Sequence, residues 1–160
     1  ILESIGESEV RPKLIEVAIG IIHNEAEERL LLKRSADDRS YPSTWCFPGG
    51  GRDWIIKNGK ARKKEPLNQT IKREVFEETS LETKIEQKIA VRRAVHLVRA
   101  RIYIVHSYLL NVVGDPNAIQ LSREHEEYGY FARGAAPEKL GTVTQAMFDW
   151  EPGKQHKILY

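Results

Sequence analysis

The chain of 160 residues has a single cysteine, Cys46. An intramolecular disulfide is therefore excluded, and a reducing, cytoplasmic setting is expected. Its neighbours Trp45 and Phe47 suit a buried structural thiol better than a nucleophile. No apolar run approaches the ~20 residues that a membrane-spanning helix needs, and no signal peptide is seen. A net charge of +2 is too small to imply a nucleic-acid partner by itself. No Ser, His and Asp arrangement suggests a nucleophilic triad. His23, His96, His106, His125 and His156 are scattered without the spacing of a zinc site. Repeats and low-complexity linkers are absent as well.

What is present fits one soluble domain spanning residues 1–160. A hydrophobic content of 41% and a charged content of 30% are ordinary for a globular chain, and the length buries one substantial core. Period-two patterning predicts strands at Leu14–Ile22 and Arg29–Lys33, joined as a hairpin by the polar turn His23–Glu28. Ser35–Ser43 is turn-like and Trp45–Phe47 a short strand. Pro66–Thr79 is predicted helical, with Pro66 in its first turn and Leu67, Ile71, Val75 and Phe76 facing inward. Strands follow at Thr83–Ile85, Ile89–Val98, Ile102–Val113 and Tyr128–Phe131. Pro137–Leu140 and Thr144–Trp150 are predicted to form a terminal helical region.

Within the predicted helix, Arg73-Glu74-Val75-Phe76-Glu77-Glu78 puts three carboxylates at relative positions i, i+3 and i+4. All three then project from one helical face within about a turn. Mutual repulsion gives an ordinary solvated helix nothing for this crowding, whereas Mg²⁺ binds hard oxygens gathered on one rigid element. A charged surface helix is the alternative on these six residues alone.

The surroundings favour the metal. Glu65 stands eight residues before Arg73, Gly59 six before Glu65, and Leu81 follows Ser80. Gly59–Leu81 thus resembles the Nudix box, G-x5-E-x7-R-E-U-x-E-E-x-G-U with U a bulky apolar residue. Every fixed position matches except the second Gly, replaced by Ser80. Trp45-Cys46-Phe47-Pro48-Gly49-Gly50 is similar to the strand and glycine turn that lead into this box. In typical members the second Gly of that turn is also the first Gly of the box. Here Gly50 and Gly59 compete for the role, and Gly50, at the end of the apolar strand, is the preferred candidate. Gly59 then meets the spacing by accident, and about residues 52–64 form an inserted basic loop.

The resemblance implies an α/β fold, the Nudix α/β/α sandwich with a mixed β-sheet between helices, covering nearly the whole chain. It also implies Mg²⁺-dependent hydrolysis of a phosphoanhydride, with Mn²⁺ as a substitute. Glu74 and Glu78 would be direct ligands, Glu77 a ligand or supporting partner, and the Gly50 carbonyl a further ligand. Arg73 and Glu65 would fix the carboxylate geometry. Ser122-Arg123-Glu124-His125-Glu126-Glu127-Tyr128 resembles a segment of several Nudix subgroups in which the Glu before His approaches the metal as ligand or general base. Glu124 takes that role here, with Glu78 the alternative base. Arg34, closing the second strand, occupies a position that contacts phosphate in related enzymes.

Substrate identity is less legible. Arg99, Arg101 and Tyr103 share one strand face and either line the cleft or form a solvated face. The basic segment carries Arg52, Lys57, Lys60, Arg62, Lys63 and Lys64 against Asp53, with Trp54 beside them. It is open to three readings: a clamp for a polyphosphate tail, a clamp for an RNA 5′ end, or a mobile, soluble loop. Signatures of ADP-ribose-, NADH- and RNA-directed subgroups are missing. A nucleoside triphosphate yielding the monophosphate and pyrophosphate is the expected substrate. A dinucleoside polyphosphate and a nucleotide sugar are alternatives, and a non-catalytic ligand-sensing or RNA-binding module is the rival of another class. A homodimer remains open.

Overall fold

The computed structural model describes residues 13–96 and 100–153, apart from the side chains of Trp54, Lys57, Ala61, Arg62 and His96. In chain order the elements are β1 (Lys13–Ile22), β2 (Arg29–Arg34), β3 (Trp45–Cys46), β4 (Gly49–Gly51), β5 (Trp54–Lys57), β6 (Lys60–Lys64), α1 (Leu67–Thr79), β7 (Thr83–His96), β8 (Arg101–Val112), β9 (His125–Phe131) and α2 (Thr142–Met147). One sheet has the order β4-β1-β8-β7, with β1 and β8 parallel and the other pairs antiparallel. A second, β3-β2-β9, is antiparallel. Strands β5 and β6 make a separate hairpin.

Alternation in β1 and β2 sends side chains to both faces, and both faces are covered. Ala18, Ile22, Leu30 and Leu32 pack with Ile71 and Val75 of α1 and with Leu110. Ile21, Leu31 and Leu109 pack on the other side with Trp45, Met147 and Phe148. The result is the expected α/β/α arrangement, strands layered between α1 and the α2 region. Each fully buried Ile or Leu contributes about 1.5–3 kcal/mol of transfer free energy, so the first cluster anchors α1 against β1 and β2, and the second anchors the α2 region on the opposite face.

Several local expectations are corrected. Strands β1 and β2 are not a ladder-paired hairpin, because both edges of β1 are taken by β4 and β8. Only an isolated His23–Arg29 bridge links them, and β2 turns into the second sheet. Pro66 is the N-cap residue, just outside the helix. Phe76 is 52% exposed: it lies about 100° around the helix from Val75, outside the stripe of Leu67, Ile71 and Val75. Thr83–Ile85 and Ile89–Val98 merge into the single strand β7, which absorbs the polar break with irregularities between Ile85 and Gln87 and between Lys88 and Ala90. Positions 97 and 98 of that expectation lie outside the described residues, as do Arg99 and His156. Pro137–Leu140 is not helical; Leu140 forms a bridge with Trp45 instead.

The basic segment is the largest difference. It is a β-hairpin, not a loop, with Lys57 paired to Lys60 across Asn58 and Gly59. Both turn residues have positive φ, 52° and 73°, the type I′ geometry that matches strand twist and for which Asn-Gly is the strongest short-range signal.

Candidate metal and phosphate site

Helix α1 ends where the box substitutes serine for glycine. Ser80 adopts the left-handed conformation, φ 63°, and its N–H donates to Phe76 O at 2.8 Å, so the substitution retains the helix stop. The length from Glu65 to that stop presents every acidic residue of the box to β4 or to solvent, according to position on the helix.

Glu65, before the helix, is 4% exposed. Its Oε1 accepts from Thr70 Oγ1 at 2.7 Å and from Arg73 Nη2 at 3.0 Å, and its Oε2 from Arg73 Nε at 2.9 Å. This two-pronged pairing, led by the Arg73 hydrogen bond, holds the Glu65 carboxyl below its ordinary value. The same guanidinium reaches Glu74 Oε1 at 3.0 Å through Nη1, Glu77 at 3.1 Å, and the Gly51 carbonyl at 3.1 Å through Nη2. Asp53 lies 3.4 Å from it. Arg73 therefore fixes helix, strand and hairpin root to one another.

The three box carboxylates are not equivalent. Glu77 is exposed and turned toward Arg73. Glu78 is 3% exposed. Gly49 N–H donates to its Oε1 at 3.2 Å, and His125 Nε2 lies 3.6 Å from its Oε2, a contact too long for a hydrogen bond. Burial first, then the Glu74 carboxylate, pushes Glu78 well above the usual carboxyl range. Burial likewise raises Glu74, opposed by Arg73 and reinforced by Glu77 and Glu124. Two carboxylates, one buried and one partly buried, thus lie close to each other, with Arg73 bonded to Glu74 at one edge and Arg34 acting on Glu78 from the other.

Gly50 completes this arrangement. A Cβ built on it would lie 2.5 Å from the Glu74 carboxylate, whereas one on Gly59 meets nothing within 4 Å. The two glycines of the sequence argument are thereby separated: Gly50 abuts the carboxylates, and Gly59 is a hairpin tip. Among the described residues no three His, Cys, Asp or Glu side chains form a ready-made cage. Mg²⁺ does not need one, since it keeps several waters and takes one or two carboxylates plus phosphate oxygens. Like-charged carboxylates against a Cβ-free backbone fit such an ion chemically, with Glu74 and Glu78 as candidate donors; the β4 backbone groups turned toward the helix are the Gly49 N–H and the Gly51 carbonyl, while Gly50 pairs with Ala18 of β1.

Glu124 is exposed on a loop tied to the helix end, where Ser122 N–H donates to Glu78 O at 3.1 Å and Gln120 N–H to Thr79 O at 2.9 Å. It lies close enough to raise both Glu74 and Glu78 electrostatically. Beside these groups opens a cavity of about 200 Å³, lined by Gly49, Gly50, Arg34, Tyr103, Tyr41 and Cys46 among others. Arg34 is held there by Asp38 at 3.1 Å. Burial pushes the Cys46 thiol up, which fits a structural wall. Arg101, at the start of β8, is not among the lining residues.

His125 was passed over in the sequence as one scattered histidine. It is buried behind Glu78, and burial together with Arg34 brings its pKa down to about 4, so the imidazole is neutral at pH 7 and adds no charge to the carboxylates. Its place directly after Glu124, in the segment already singled out, was the available signal.

Residues 14–150 match the NUDIX domain. The chain belongs to the NUDIX family. A NUDIX domain marks a pyrophosphohydrolase acting on nucleoside diphosphate derivatives, and such enzymes generally use divalent metals such as Mg²⁺. Among solved structures, a MutT protein from Methanosarcina mazei Go1 is 26% identical with a TM-score of 0.69, over 88% of this chain and 94% of that one. A MutT NUDIX hydrolase from Burkholderia pseudomallei is 21% identical, also with a TM-score of 0.69, over 83% and 94%. An ADP-ribose pyrophosphatase from Streptococcus suis 89-1591 is 19% identical with a TM-score of 0.53, over 79% and 78%. The last two establish likeness of fold alone. No curated protein sequence matches the chain. No described helix is long and apolar enough to cross a membrane.

Proposed function

We propose that this NUDIX chain is a Mg²⁺-dependent hydrolase of a nucleoside triphosphate, releasing the monophosphate and pyrophosphate. The observation that carries the reading is the proximity of buried Glu78 to Glu74 beside β4, whose Gly49 and Gly50 also line a cavity sized for part of a nucleotide. Glu74 and Glu78 hold the ion, with Mn²⁺ an acceptable substitute. Glu77 serves as a partner of Arg73 rather than as a ligand. When bound, the cation neutralises phosphate oxygens and lowers the pKa of a coordinated water.

The protein's own groups supply the rest. Arg73 and Glu65 keep the carboxylates from swinging apart. Arg34 pairs with phosphate at the cavity edge, and Tyr103 packs on the nucleoside. Glu124, approaching from the opposite wall, accepts the proton of the attacking water. Neutral His125 keeps the floor behind Glu78 dry. The chain acts as a single domain, and its lone buried thiol suits a cytoplasmic location.

A panel of nucleoside triphosphates, nucleotide sugars and dinucleoside polyphosphates, each with and without Mg²⁺ and scored for products, tests the reading. Metal-dependent release of pyrophosphate from a triphosphate is the expected result. Turnover that survives chelation, or none on any member, overturns it.

A further inference from the structure

The β5–β6 hairpin concentrates charge far beyond its share of the chain. The chain has 25 Lys and Arg against 23 Asp and Glu; setting aside Arg52, Lys57, Lys60, Arg62, Lys63, Lys64 and Asp53 leaves 19 against 22. The segment is thus strongly cationic while the remainder is net acidic. Two of its charges are consumed at the root: Arg52 is bonded to Glu16 and to the Glu65 carbonyl, and Asp53 lies against Arg73. The rest continue outward along the strands.

Register then sorts them. Directly paired residues of an antiparallel ladder point to the same side. Ile55 pairs with Lys63 and Lys57 with Lys60, while Trp54 pairs with Lys64 and Ile56 with Ala61. The irregularity between Ile55 and Ile56 skips position 62. Without it, Lys60 and Lys63, three apart, would alternate to opposite faces; with it, positions 57, 60 and 63 share one. Lys60 and Lys63 are exposed. Lys60 and Lys63 therefore present like charge on one exposed face, where an anion is attracted to both.

The location decides which anion. Both ends of the hairpin are bonded to the catalytic frame: Glu65 N–H donates to Asp53 O at 2.6 Å, and Arg73 joins Asp53, Gly51, Glu65 and Glu74. The root of the hairpin is therefore fixed beside the Glu74–Gly50 contact. Lysine is a compact point charge on a flexible stem, suited to phosphate and not to reading base edges. We propose that this face is a clamp for the substrate phosphates distal to the cleaved bond, so that the enzyme prefers nucleotides with three or more phosphates in line. The proposal rests on the hydrolase reading above.

The test compares wild type with the double variant Lys60→Gln/Lys63→Gln on a nucleoside triphosphate, a nucleoside tetraphosphate and a nucleotide sugar, which has no phosphate beyond the β-phosphate and carries that one as a sugar ester. The ratio of kcat/KM for the tetraphosphate to that for the nucleotide sugar is expected to fall at least tenfold, with a smaller fall for the triphosphate. A ratio unchanged within twofold overturns the clamp. Binding of inorganic tripolyphosphate, followed by calorimetry, provides a readout independent of turnover. It is expected to weaken at least tenfold in the variant and to lose part of its salt dependence. If wild type hydrolyses none of these compounds, the hydrolase reading has failed, and the tripolyphosphate result alone judges the clamp. If a 5′-triphosphorylated oligoribonucleotide binds more tightly as it lengthens, and the variant abolishes that gain, the face serves nucleic acid and the proposal is wrong.

Discussion

The floor formed by β4 and α1 and the hairpin beside it are built from the same material, charged side chains at close quarters, yet they treat charge in opposite ways. In the floor, Glu65 and Arg73 satisfy each other twice over, and Glu77 is drawn off by Arg73. That leaves Glu74 with one contact to Arg73 and Glu78 with Arg34 acting on it, an incomplete balance that a bound cation would improve. In the hairpin, Lys60 and Lys63 have no ion-pair partner among the described residues, and the register puts them on one face. Excess charge of one sign thus lies on the floor, and of the other sign on the neighbouring hairpin. On the proposed reading, a metal–polyphosphate complex would offset both.

The largest effect that would break this comparison is at Glu78. Glu78→Gln removes a proposed ligand without changing size, and kcat is expected to drop about 10³-fold. Glu77→Gln, its neighbour, should cost about tenfold or less. Thermal melting sharpens the contrast. Without metal, Glu78→Gln should melt no lower than wild type, because an isolated buried charge is unfavourable; added Mg²⁺ should raise the melting point of wild type only. Equal kinetic losses at 77 and 78 would mean that burial does not distinguish ligand from support.

Next comes the frame itself. Glu65→Gln leaves Arg73 with half of its main pairing and is expected to destabilise the fold by about 2 kcal/mol, measured by urea unfolding. The folded-state pKa of Glu65 is depressed from the ordinary 4.5. Its contribution is therefore fully present above pH 4.5 and disappears as pH falls through the lower folded value. The gap between wild type and variant should be constant from pH 6 to 8 and close progressively below pH 4.5. A gap that widens in acid would contradict the assigned pairing.

Gly50→Ala acts at the contact between β4 and Glu74. Its new Cβ meets the Glu74 carboxylate at 2.5 Å, so the side chain must move. A loss of about 10- to 100-fold in kcat is expected, of the size seen when a ligand's support is disturbed, recoverable in part at high Mg²⁺. Unchanged activity would remove Gly50 from the site.

Much of the floor was legible in the sequence because a helix imposes fixed spacing. Once Glu74 and Glu78 lie four apart, one face must carry both, and Arg73 reaches Glu77 by the same rule. What sequence spacing could not supply was depth. Nothing local distinguishes Glu77 from Glu78; their difference comes from β4 packing over one of them. The pairing of β1 was hidden for a similar reason, since its partner β8 lies some 80 residues along the chain and long-range pairing outcompeted the local turn. Phe76 was misplaced by treating an apolar residue next to the stripe as part of it. The hairpin was different, because its signal was present. Asn58-Gly59 between residues 54–57 and 60–64 is a recognisable type I′ turn, but Gly59 had been weighed as a motif glycine and not as a turn residue.

That overlooked turn gives the mildest test. Gly59 sits at φ 73° with open space around its Cα, so Gly59→Ala meets no neighbour and pays only for the left-handed backbone. About 1 kcal/mol of local stability should be lost, visible as faster amide exchange in β5 and β6 and hardly at all in the global melt. Activity on a nucleotide sugar should stay within twofold of wild type. The tetraphosphate should suffer more, since a frayed hairpin no longer aligns Lys60 with Lys63. Were both substrates to lose activity together, as for Gly50→Ala, the hairpin would be part of the floor and the division between the two regions would disappear.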